Sequence, residues 1–289
     1  VTNTLHTASG PIRVLEAEDV AYVRQTWDSR YTHAELRQMT MSQNWVVLWN
    51  ASSGEYVVAG PWRHRRDILE VSEIAATGSA VELVQALTEE LSNRGVHLVV
   101  VPERDEKRKQ QFYAAAGFEP VEEIIVYELH GLRPPMHRPL GIRFQKVDLR
   151  NEEQMQALLD LDHRAFPWLW WNSPEEFDNY FHADGVTIEM VQDETGRGIS
   201  YVGYTKLRGW GHLDRIAVDP DIQGQGLGRR SLEYAVAQMV SLGSRRIGLS
   251  TQSDNRVSRA LYESFGFRRN RGHDYRLYGY WIGERRPVV

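Results

Sequence analysis

Apolar positions in residues 227–243 recur on a helical period: Leu232, Ala235, Val236, Met239 and Val240 stand at i, i+3, i+4, i+7 and i+8, and Gly243 closes the run. This stripe predicts a helix with one buried face. Short apolar and alternating runs predict strands over residues 141–147, 187–192, 200–207, 211–218 and 247–251. A helix is predicted over residues 151–165, with Met155, Leu158, Leu159 and Asp162 on neighbouring turns. A second starts at Ser173-Pro174-Glu175-Glu176, where serine at the cap, proline at the first position and glutamate at the third form a capping box. After Asn255, a capping residue, Val257, Ala260, Leu261 and Phe265 supply the buried face of a short helix that Gly266 ends. The order is strand, two helices, three strands, helix, strand, helix, strand, an α/β arrangement.

The first half repeats part of this pattern. Residues 111–118, Gln-Phe-Tyr-Ala-Ala-Ala-Gly-Phe, match the ending of residues 260–267, and residues 83–91 repeat the amphipathic helix. An internal duplication accounts for 289 residues, about two domains. Pro134, Pro135 and Pro139 prevent a helix between the halves. The expected division is therefore residues 1–132, a proline-rich connection over 133–140, and a second domain over 141–289. Hydrophobic residues make up 42% of the chain and charged residues 25%, so each half can bury its own core. The absence of cysteine removes disulfides, zinc-thiolate sites and any acyl-cysteine intermediate, and it suits a reducing cytoplasm. Apolar runs such as residues 96–101 are too short to span a membrane, and residues 1–10 carry no secretory signal. A net charge of −5 argues against a nucleic-acid partner, although residues 63–66 and 268–271 are locally basic.

The densest chemical signal lies in residues 212–230. An apolar strand runs into Gln223-Gly224-Gln225-Gly226-Leu227-Gly228-Arg229-Arg230, a turn that opens the amphipathic helix. Small residues there let the main chain approach an anion, with successive N–H groups pointing at it. Arg229 and Arg230 oppose the helix dipole unless an anion sits in front of them. A Rossmann reading needs glycines directly after the strand and an acidic residue ending the next one; this turn is longer, and the strand over 247–251 ends in no carboxylate. Together with Asn255 to Phe267, the turn resembles the GNAT superfamily of N-acetyltransferases over residues 140–282. That resemblance implies two tandem domains, each a mixed, mostly antiparallel sheet flanked by helices. It also implies acetyl-CoA as cosubstrate, held by Gln223 to Arg230, by main-chain groups of Ile216, Ala217 and Val218, and by Asn255 and Ser258.

The resemblance places Tyr262 where the superfamily has a tyrosine that protonates the departing thiolate of CoA, or hydrogen-bonds it. His212 falls where related enzymes place a glutamate or histidine base, and Asp214, on the same strand face, could hold it. The alternative is that both aromatic side chains only pack, in a non-catalytic acetyl-CoA sensor. Trp168, Trp170 and Trp171 either shape the acceptor pocket or form an apolar seam between the halves. The second half is similar to ribosomal-protein N-terminal acetyltransferases, yet Ser250 stands where their base glutamate is expected. The tandem layout resembles mycothiol synthase. In the first half Thr77-Gly78-Ser79-Ala80 replaces the phosphate turn and Glu106 stands opposite Asn255, so a copy without cofactor is expected. The expected partners are a small-molecule or peptide amine and, at most, a second copy of the chain. No metal, nucleic acid or membrane is expected.

Overall fold

Local chemistry sets the ends of the helices. Thr32 and Glu35 close a capping box, with Thr32 Oγ1 accepting the Glu35 N–H and Glu35 accepting the Thr32 N–H. Ser173 Oγ accepts the Glu176 N–H at 3.0 Å, with Pro174 at the first helical position. The computed structural model describes residues 11–104, 107–132 and 143–285, so the connection expected over 133–140 and Glu106 lie outside the described residues. The elements are β1 (Ile12–Val14), α1 (His33–Thr40), β2 (Val46–Asn50), β3 (Tyr56–Pro61), β4 (Ile68–Ala75), α2 (Ala80–Ser92), β5 (Leu98–Arg104), α3 (Lys107–Ala115) and β6 (Glu119–Leu129). They continue with β7 (Gln145–Lys146), α4 (Glu152–Ala165), α5 (Pro174–His182), β8 (Val186–Gln192), β9 (Gly198–Leu207), β10 (Trp210–Val218), α6 (Leu227–Ser241), β11 (Arg246–Gln252), α7 (Arg256–Phe265), β12 (Arg268–Arg269) and β13 (Tyr275–Trp281).

Two compact units result: residues 11–121 with Arg276–Arg285, and residues 122–275. The strand order in the first is β1-β2-β3-β4-β5-β13, so the last strand of the chain returns to the first unit. In the second it is β7-β8-β9-β10-β11-β6, with β12 also paired to β6. Each sheet is mixed: β4–β5 and β10–β11 are parallel, among antiparallel neighbours. Helices cover both faces. In the second unit, Leu213, Leu232, Met239, Ile247 and Tyr262 form a core on the α6 and α7 side, while Leu158, Leu161, Phe177 and Tyr201 form another on the α4 and α5 side. Each fully buried aliphatic side chain contributes about 1.5–3 kcal/mol.

The duplication read in the sequence extends to backbone irregularities. In β10 the register against β9 shifts between Leu213 and Arg215, leaving Asp214 as an extra residue. In β4 the partners of Val58 and Ala59 are Glu73 and Val71, which leaves Ser72 extra. Both bulges fall just beyond the point where a parallel pairing stops, after Leu213 with Leu249 and after Glu70 with Val100.

The turn from β4 into α2 is closed from within. Glu55, in the β2–β3 hairpin and 6% exposed, accepts the Thr77 and Gly78 N–H groups and the Thr77 hydroxyl on one oxygen. Its other oxygen accepts the Ser79 N–H and hydroxyl. The Ser79 hydroxyl and the Thr77 amide, outweighing the cost of burial, hold this carboxyl far below the usual carboxylate range. Its stabilising effect is therefore present above the unfolded-state pKa of about 4.3 and lost as pH falls below it. Glu55→Ala is expected to cost about 2–4 kcal/mol in urea unfolding at pH 7. The gap between variant and wild type should close as unfolding is repeated at decreasing pH below about 4.

Candidate active site

Beyond Leu213 and Leu249 no pairing between β10 and β11 occurs among the described residues, although β10 continues to Val218 and β11 to Gln252. The sheet opens there. The Asp214 bulge puts Leu213 and Ile216 on the α6 and α7 core, and Ala217 on the α4 and α5 core. Asp214 and Arg215 both turn toward α4 and α5, since their partners are Tyr180, Asp162 and Tyr201. Main-chain groups of Arg215 to Val218 on the β11 side therefore have no strand partner among the described residues, and the Val218 carbonyl is taken by a side chain, that of Gln223.

His212 lies at the mouth of this opening. Its Nδ1 is 2.6 Å from Asp214 Oδ1, which selects the tautomer with Nδ1 protonated and leaves Nε2 as an acceptor. Asp214 Oδ2 accepts from the Tyr180 hydroxyl and from Thr205 Oγ1 at 2.7 Å, so the carboxylate is fixed from three sides. Burial and the Asp214 charge together raise the Tyr180 phenol well above its ordinary value, which keeps it a donor. A Cβ on Gly203 would come within 3.0 Å of the Tyr180 hydroxyl, so glycine there admits this side chain. The expected pairing of His212 with Asp214 is thus present in the geometry. Tyr180 and Thr205 were not foreseen.

Behind the dyad, Arg215 is buried against Asp162 of α4, lies 3.8 Å from the Phe166 ring, and donates to the Tyr201 hydroxyl and the Trp170 carbonyl. Asp162 also accepts the Tyr201 hydroxyl and the Asn172 N–H. This network pins the loop after α4 to the sheet. The loop carries the three tryptophans. Trp171 donates to the Phe166 carbonyl and stacks on His163 at 4.6 Å. The Trp170 indole N–H donates to Glu122, on β6. In strand order β11 lies between β6 and β10, so Trp170 crosses the end of the opening. Trp168 is half-buried in the short helical turn Trp168–Trp170.

Glu122 was likewise not foreseen from the sequence. It is 8% exposed, and Oε1 has no hydrogen-bond partner. Burial, opposed by the Trp170 donor and reinforced by the Asp254 charge, pushes its carboxyl up to about 8.

At the far end of β10 the chain passes through Asp219, whose buried carboxylate accepts from Arg164 and Arg197. Gln223 donates through Nε2 to the Val218 carbonyl at 3.1 Å. Gly224 and Gly226 have φ of 80° and 79°, the left-handed region, while a Cβ at either would meet nothing within 4 Å. Glycine is needed there for conformation rather than for room inside the protein. Gly226 caps α6, so the N–H groups of Leu227, Gly228 and Arg229 have no intrahelical carbonyl. Arg230 braces the turn by donating to the Gln225 carbonyl, and Arg229 pairs with Glu233 at 3.3 Å.

On α7, Asn255 Oδ1 accepts the Ser258 N–H at 3.0 Å, the cap expected. The Tyr262 ring lies between Tyr127 and Phe267, with centroids 6.2 and 6.0 Å away. Burial, eased by the Ser258 hydroxyl, pushes its phenol up to about 12. Among the described residues no helix is long and apolar enough to cross a membrane.

The model of the acetyltransferase (GNAT) family matches residues 153–267. The chain is 28% identical over 214 residues to a mycothiol acetyltransferase of Actinosynnema mirum, covering 68% of each chain. It is 40% identical over 123 residues to the [ribosomal protein bS18]-alanine N-acetyltransferase of Salmonella typhimurium, covering 42% of this chain and 79% of that one. Among solved structures, a tandem GNAT protein from the clavulanic acid biosynthesis pathway superposes with a TM-score of 0.59 at 14% identity, over 95% of this chain and 99% of that one. This last likeness is one of fold.

The raised Glu122 carboxyl has a measurable sign. The folded state holds a proton that the unfolded chain releases near pH 4.3, so Glu122 lowers stability progressively from there to about pH 8. Glu122→Gln, which keeps an acceptor for the Trp170 indole, is expected to match wild type in urea unfolding at pH 4 and to be about 2–4 kcal/mol more stable at pH 9. Equal stability at both pH values would contradict the burial account.

Proposed function

Because this chain belongs to the GNAT family of acetyltransferases, we propose that its second unit transfers the acetyl group of acetyl-CoA to a primary amine in a ternary complex. The observation that carries this reading is the alignment of the β10–β11 opening with the glycine turn: an extended arm fits the open strand edge while its diphosphate meets the free amides of Leu227, Gly228 and Arg229. Gln223, Gly224, Gln225, Gly226 and the two arginines complete that cradle. Ile216, Ala217 and Val218 hold the pantetheine amides and polarise the thioester carbonyl. Asn255 and Ser258 border the arm from α7.

In the reaction His212 Nε2 removes a proton from the acceptor ammonium, directly or through water, and Asp214 steadies the imidazolium that forms. The free amine attacks the thioester carbon, the carbon–sulfur bond breaks, and Tyr262 returns a proton to the leaving thiolate. A phenol with a pKa near 12 keeps its proton throughout the working range. The inert half is the first unit, where Glu55 already fills the place of an anion. For the acceptor, the long match to a mycothiol acetyltransferase and the serine at position 250 favour a small amine over a peptide terminus, with Trp168, Trp170 and Trp171 walling its side.

Thiol release followed with a panel of small amines tests these roles. Gly226→Glu should abolish turnover, since a carboxylate then occupies a left-handed position in front of the cradle. Tyr262→Phe should lower kcat about a hundredfold or more with little change in acetyl-CoA affinity, and wild type should show no loss of rate attributable to the phenol below about pH 10. Unchanged rates in Tyr262→Phe would remove it as the acid.

A further inference from the structure

One face of the second unit's sheet is uncovered along an inner strand. β11 lies between β10 and β6, and its Ile247 and Leu249 fill the α6 and α7 core, so Gly248, Ser250 and Gln252 alternate onto the opposite face. There α4 packs on β9 and β10 and α5 on β8, while Ser250 is exposed and Gln252 half-buried. The rings of His212 and Trp210 stand on this face over Gly248, where a Cβ would meet both at 3.4 Å, and their centroids are 5.4 Å apart. Arg246 is the register partner of Trp210, as Gly248 is of His212.

We propose that the acceptor of the second unit is an anionic amine, which presents its amino group to His212 and an oxyanion to Arg208, Arg245 and Arg246. This deepens the acetyl-transfer reading of the same site and rests on it. The three arginines and Trp210 line a hollow of about 560 Å³, a volume in the range of small-ligand sites, and no carboxylate lines it among the described residues. None of the three guanidinium groups forms a hydrogen bond or an ion pair there. Glu128 feels the Arg246 charge, but Asn270 and His130 already hold it. Arg208 sits at φ 42° in the two-residue β9–β10 turn, a position that asparagine or glycine fills with less strain. Guanidinium groups gathered without partners repel one another, and an oxyanion that they share in bidentate fashion relieves this. Trp210, exposed beside them, offers a flat surface for the body of the molecule. Two residues of strand, about 6.6 Å, separate the level of Arg246 from that of His212, a span that 4-(aminomethyl)benzoate bridges.

The test is calorimetric titration of the full chain with that compound in the presence of coenzyme A, against 4-(aminomethyl)benzamide as the uncharged isostere and 4-methylbenzoate as the anion without an amine. The carboxylate amine is expected to bind at least about tenfold tighter than the amide. The triple variant Arg208→Gln, Arg245→Gln, Arg246→Gln should lose that preference at an unchanged melting temperature, since all three side chains are exposed. Should it not fold, Arg246→Gln alone is expected to lower the preference about threefold or more. Equal affinity for carboxylate and amide, a preference that survives in the folded variant, or 4-methylbenzoate bound as tightly as the amine would each overturn the proposal. Thiol release from acetyl-CoA with the same two amines separates it from the reading beneath it, with kcat/KM for the carboxylate expected to be at least about tenfold higher. Equal kcat/KM for both would overturn the anionic acceptor alone. Arginine-dependent binding with no thiol release from any amine would overturn the transfer reading, and the proposal with it.

Discussion

The parting of β10 from β11 after Leu213 is the constraint from which the second unit's site follows. Parallel strands with free edges pair unless something prevents them, and here the Asp214 bulge twists β10 away just where pairing ends. The same extra residue sends Arg215 toward α4, where Asp162, Tyr201 and the Trp170 carbonyl receive it. Removing either member of that buried pair would strand a charge, at about 3–5 kcal/mol. The opening is thus held by buried electrostatics behind it. Unpaired main-chain groups along its edge are the cost, and they are also what an amide-bearing arm can use.

Two copies of one scaffold arrive at opposite solutions for the same helix terminus. In the second unit, positive-φ glycines leave the amides before α6 open. In the first, the turn is shortened and Glu55 is bound there as a resident anion. Duplication preserved the bulge, the parted strands and the tyrosine. In the first unit a carboxylate of the chain itself occupies the terminus that the second unit leaves open.

Much of this was legible because its signals are local. The α6 stripe, the Ser173 and Asn255 caps and the Gly224 and Gly226 turn each depend on residues within a few positions. The proximity of His212 and Asp214 followed from strand parity, and a one-residue bulge after His212 did not separate them because Asp214 itself is the extra residue. Long-range partners were not legible. Glu122 meets Trp170 from 48 residues away, Tyr180 meets Asp214 from 34, and Arg215 meets Asp162 from 53. Asp162 on an apolar helical stripe was the one hint, since a carboxylate on a core-facing position requires a buried partner. The return of β13 to the first unit left no local trace, because strand pairing is set by tertiary register.

The most direct test of the central claim, that main-chain amides at the start of α6 receive the diphosphate of acetyl-CoA, is a crystal structure of the full chain soaked with that ligand. The diphosphate should lie on the N–H groups of Leu227, Gly228 and Arg229, with the pantetheine along Ile216 to Val218. A diphosphate bound instead at Thr77 to Ser79, or a turn at Gly224 to Arg229 left empty under saturating ligand, would contradict it.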